Sequence, residues 1–100
     1  MIRVFIFFLI QGFCINAYTQ CTAPIYLNTT NVYYYSADAN WTPTTSNVSY
    51  YRIRYKELGA QSWQFINNID SSLNTKIISG LNSLSYYVWQ IKTYCDTNNT

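Results

Sequence analysis

Residues 85–95, Ser-Tyr-Tyr-Val-Trp-Gln-Ile-Lys-Thr-Tyr-Cys, constrain the fold more than any other part of the chain. Tyr87, Trp89, Ile91 and Thr93 share one parity and Tyr86, Val88, Gln90 and Lys92 the other, which is the two-residue period of a strand with one buried face. Leu81, just after Gly80, is expected to join Tyr87, Trp89 and Ile91 in a common core. The same alternation runs through residues 48–57, where Tyr51, Ile53 and Tyr55 oppose Tyr50, Arg52, Arg54 and Lys56. The basic parity must face water, because a buried unpaired cation is costly. Residues 32–42 set Ala37, Ala39 and Trp41 against Asp38, Asn40 and Thr42, which makes Trp41 a core candidate.

The remaining segments are shorter. Residues 21–27 read as an extended edge segment, since Pro24 has no amide to give to a ladder. Residues 43–47 and 58–62 are turn clusters, residues 63–66 a short strand and residues 67–74 a polar loop. Residues 75–81 form a further strand with Ile78 and Leu81 inward. Six short strands at this spacing, with no segment of helical period, indicate an all-β antiparallel sandwich. Aromatic residues make up 19% of the chain and charged residues 10%, a balance that supplies β-forming side chains and excludes a disordered tail. The net charge is +2, and one of the six cations is Arg3 near the N-terminus, so no electrostatic footprint for nucleic acid is present.

Residues 1–19 have the anatomy of a secretory signal peptide: Arg3 at the start, an apolar run over residues 4–10, and small residues at Ala17 and Thr19 before a cleavage site near Thr19. The apolar run is well short of the roughly 20 residues that span a bilayer, so no membrane span is expected after its removal. Gln11-Gly12-Phe13 ahead of Cys14 does not suit lipidation. Residues 20–100 then form one domain of about eighty residues, close to the lower limit for a self-sufficient core. With Cys14 gone, Cys21 and Cys95 remain at its two ends. In an exported chain without histidine they suit a disulfide better than a zinc site, which takes about four ligands. Two free buried thiols are the alternative.

Trp41, the Tyr51-x-Ile53-x-Tyr55 alternation and the run Leu81-x-Ser83-x-Ser85-x-Tyr87-x-Trp89-x-Ile91 together resemble the framework of a fibronectin type III domain. That resemblance implies an immunoglobulin-like sandwich in which Tyr87 makes the tyrosine corner, with Ser83 standing where the family usually has proline. Residues 54–63, with the Cys21-x-x-Pro24 start and Cys95, resemble modules of secreted multidomain proteins of Bacteroidetes-type bacteria. The family has a seventh strand beside the one at residues 85–95, and residues 96–100 supply none. The resemblance therefore implies six of seven strands, a C-terminally incomplete domain, and an open edge on the last strand.

No catalytic constellation accompanies this framework. Asp38, Glu57, Asp70 and Asp96 are scattered, no histidine activates a hydroxyl, and no glycine-rich phosphate loop occurs, so no catalytic, metal or cofactor residues are expected. The one candidate binding face is the wet parity of two strands: Tyr50, Arg52, Arg54, Tyr86, Gln90 and Lys92. Rings beside cations suit sugar rings or an acidic protein surface, although such pairs also stabilise an exposed sheet without binding anything. Sequons stand at Asn28, Asn40, Asn47 and Asn98. The expected function is a non-catalytic binding or spacer module, secreted or at the cell surface, whose partners are neighbouring domains and an extracellular protein or glycan. An accessory domain of a secreted hydrolase and a small carbohydrate-binding module are the alternatives.

Overall fold

The computed structural model describes the backbone of Arg3–Ile6 together with residues 21–96. Cys14, Asn98 and the cleavage site expected near Thr19 lie outside the described residues. Seven strands follow in chain order: β1 (Arg3–Ile6), β2 (Ile25–Thr30), β3 (Ser36–Thr42), β4 (Val48–Glu57), β5 (Gln64–Asp70), β6 (Thr75–Ser79) and β7 (Tyr86–Cys95). They form two sheets, one in the order β1-β7-β4-β5 and the other β2-β3-β6. The six strands from β2 to β7 pair antiparallel, so the fold is the all-β sandwich expected from the alternation.

The longest strands, β4 and β7, pair from Val48 opposite Cys95 to Glu57 opposite Tyr87. This register aligns the two alternating patterns, so that Tyr51, Ile53, Trp89 and Ile91 all enter the core. Ala37, Ala39 and Trp41 from β3, Ile78 from β6, and Leu81 meet them from the other sheet. Small alanines alternating with one indole let the sheets approach closely while Trp41 fills the gap beside Tyr51. Their rings meet edge to face at 5.4 Å across the two layers, a favoured aromatic geometry. Trp89 is wholly buried, and its Nε1 donates to the Thr29 hydroxyl of β2 at 2.9 Å, a hydrogen bond between the sheets. The Asn82 amide donates to the Tyr87 hydroxyl at 2.8 Å, closing the tyrosine corner with Ser83 in place.

Cys21 and Cys95 form a disulfide with Cα atoms 5.8 Å apart, tying the segment before β2 to the end of β7 across 74 positions. Four expectations are corrected. The first strand begins at Ile25 rather than Cys21, and Tyr26, at φ 53°, sits in the bulge by which it joins β3. The second begins at Ser36, because residues 31–35 form the connection before it. The polar segment 67–74 is half strand: β5 continues to Asp70, passing Asn68 at φ 55°, a conformation that asparagine tolerates better than most residues. The edge of β7 expected to be open is paired, since β1 runs parallel to it with Arg3 opposite Tyr86 and Ile6 opposite Trp89. Backbone amides of an edge strand accept any extended segment of matching geometry, and residues 3–6 supply one.

Reduction of the disulfide is expected to destabilise the fold by about 4 kcal/mol, on the chain-entropy argument for so long a loop. Urea unfolding with and without reductant measures it, and coincident midpoints would refute the contribution. Burial pushes the Tyr51 phenol above its ordinary range, with the nearby Trp41 indole offsetting part of the effect. Because the folded form holds that proton more tightly than the unfolded one, stability falls as pH rises above about 10. The Tyr51 hydroxyl completes no hydrogen bond, so Tyr51→Phe should change neutral-pH stability by less than about 1 kcal/mol and flatten the alkaline loss. Chemical unfolding at neutral and alkaline pH checks both parts.

Candidate binding face on the four-stranded sheet

The solvent parity of β4 and β7 forms a shallow groove of about 260 Å³ on the outer side of the larger sheet, lined by Arg52, Arg54, Phe65, Gln90, Lys92 and Tyr94. Cross-strand register assembles it: Arg52 lies opposite Lys92, Arg54 opposite Gln90, and Lys56 opposite Val88. Four of the six residues expected on this face, Arg52, Arg54, Gln90 and Lys92, therefore line one site. Tyr50 closes one end, stacked on Tyr94 with centroids 4.7 Å apart and planes within 9°. Tyr86 does not line the groove; it stands at the opposite end of β7.

Every cation on this face is held against a ring. The guanidiniums of Arg52 and Arg54 lie 4.1 Å from the centroids of Phe65 and Trp63. The Lys56 ammonium is 4.7 Å from the Trp63 centroid and that of Lys92 is 5.0 Å from Tyr94. Such stacking fixes long side chains that would otherwise lose entropy on meeting a ligand. Arg54 Nε donates to Gln90 Oε1 at 2.6 Å, and Arg52 Nη1 donates to the Tyr94 hydroxyl at 3.4 Å. The Arg52 contact, assisted by the charge of Lys92, lowers the Tyr94 phenol below its usual range.

Val88 and Gln90 are buried although their parity was expected to be wet. Both sit on a central strand flanked by β4 and β1, opposite the long stems of Lys56 and Arg54, and aliphatic stems of cations cover apolar surface readily. The rings of Trp63, Phe65 and Tyr94 escaped the sequence reading. Phe65 and Trp63 reach the face only through the pairing of β5 with β4, which no local period reveals; Tyr94 followed the wet parity of β7 and was legible in principle.

The carboxylates occupy separate elements. Asp38 on β3 accepts from Asn31 Nδ2 at 2.8 Å. Asp70, at the end of β5, accepts from both the amide and the hydroxyl of Ser72, and these bonds hold its carboxyl below the ordinary range. Glu57 ends β4 and Asp96 follows β7. Among the described residues no group of three His, Cys, Asp or Glu is placed to hold a metal. Of the sequons, Asn28 is exposed, whereas the Asn40 amide is engaged with the Thr30 hydroxyl at 2.9 Å.

The two sheets, the tyrosine corner and the inter-sheet indole define an immunoglobulin-like sandwich of fibronectin type III kind. The chain is similar in structure to a myokine that is itself a fibronectin type III domain, with a TM-score of 0.66 and 15% identity over 73% of this chain and 79% of that one. No protein-family model matches the sequence, and no curated protein does.

Proposed function

We propose that the chain is a non-catalytic extracellular module that makes contact through the outer face of β4 and β7, within a larger secreted or cell-surface protein. The observation that carries this reading is the row of cations stacked on rings along one sheet, none of them with a carboxylate partner among the described residues. A purely structural face gains most by pairing its charges with acids; this one leaves them available to a partner. The disulfide suits an oxidising compartment, as does the leader expected over residues 1–19, whose removal would take β1 with it and leave the edge of β7 open. Among the described residues no helix is long and apolar enough to cross a membrane. The resemblance to modules of secreted bacterial proteins supplies the setting: a rigid unit that spaces neighbouring domains and presents one face.

An array of secreted proteins and glycans probed with the chain tests the reading. Arg52→Glu combined with Lys92→Glu should abolish the bound signals, while Lys76→Glu on the other sheet should leave them intact. Identical patterns for all three chains would contradict it.

A further inference from the structure

The cations of the groove are spaced like the side chains of an extended peptide. Arg52 and Arg54 are two residues apart on one face of β4, hence about 7 Å along the strand, and Lys92 faces Arg52 across the ladder. Lys56 continues the row, but its ammonium donates to the Ala60 carbonyl at 2.9 Å. Arg54 spends only Nε on Gln90, which leaves both of its terminal nitrogens as donors. Arg52 has its Nε covered and one Nη1 hydrogen on the Tyr94 hydroxyl, which leaves Nη2 and the second Nη1 hydrogen as donors. No carboxylate lines the groove, and Asp70, opposite Tyr50, is satisfied by Ser72.

A peptide in β conformation repeats its same-face side chains at the same interval of about 7 Å. Asp or Glu at alternate positions would place one carboxylate on each guanidinium, where paired N–H donors give short, charge-assisted bonds. The rings are poorly arranged for sugars, because Phe65, Trp63 and Tyr94 each already face a cation or another ring. We propose that this groove docks an extended acidic peptide segment carrying Asp or Glu at every second residue. The proposal rests on the reading of this face as the contact surface and names its partner.

Fluorescence anisotropy at low salt tests it, using the full chain, a labelled peptide of four Glu-Ser repeats, its isomer with the four Glu in one block, and a sulfated heparin tetrasaccharide. The alternating peptide should bind saturably and about fivefold more tightly than the block isomer. Arg54→Gln should weaken it about tenfold, Arg54→Lys less, since lysine keeps the charge but loses the fork. Lys92→Gln, at an exposed position where folding is not at stake, should weaken it about threefold, and Lys76→Gln should leave it unchanged. Equal affinity for the two peptides, or no effect of Lys92→Gln, overturns the register argument. Preferential binding of the tetrasaccharide at the same residues overturns the peptide while leaving the contact face standing; no binding of any probe overturns both.

Discussion

The indole of Trp89 joins the two layers, and the rest of the sandwich is arranged to cover it. It lies on β7, the strand between β4 and β1, and reaches through the core to Thr29 on the opposite sheet. Burying an indole of this size is worth on the order of 4–5 kcal/mol from area alone. Its N–H would cost part of that gain if left without an acceptor. The Thr29 hydroxyl removes that cost and in doing so sets the separation of the sheets. Trp41 and Tyr51 fill the adjoining space, and their edge-to-face contact extends the same cross-layer packing along β3 and β4.

Much of this was legible because the buried face writes itself into the sequence at a period of two. Tyr51, Ile53, Trp89 and Ile91 hold one parity against neighbours that are polar except for Val88, and Ala37, Ala39 and Trp41 alternate with polar residues on β3. Segments where backbone geometry departs from the period were harder to read. Tyr26 and Asn68 adopt positive φ, and a bulge shifts the register nearby in each strand, so β2 and β5 break the period of two partway along their length. Asn67 and Asn68 look like loop residues by composition, yet they lie within β5, in the bulge between the Ile66–Ile53 and Ile69–Tyr51 pairs. The pairing of residues 3–6 with β7 had no local signal, since an apolar run before a small-residue site reads first as a leader.

The binding face shows the same division. Arg52, Arg54, Gln90 and Lys92 could be assembled from two alternating strands once those strands were taken as neighbours. What the cations rest on depended on a third strand and on register, so Phe65 and Trp63 entered only with the fold. The consequence is chemical: rings that seemed available for sugars instead hold guanidiniums in place, and the exposed chemistry of the face is that of positive charge at strand spacing.

The most direct test of the account is hydrogen exchange at the three indole nitrogens, followed by nuclear magnetic resonance of the nitrogen-15-labelled chain. Trp89 and Trp41 are buried on opposing sheets, whereas Trp63 is part-exposed beside the cations. The account predicts that the Trp89 indole exchanges only through global unfolding, with Trp41 close behind and Trp63 fast. A Trp89 indole that exchanges as fast as Trp63 under native conditions would contradict it.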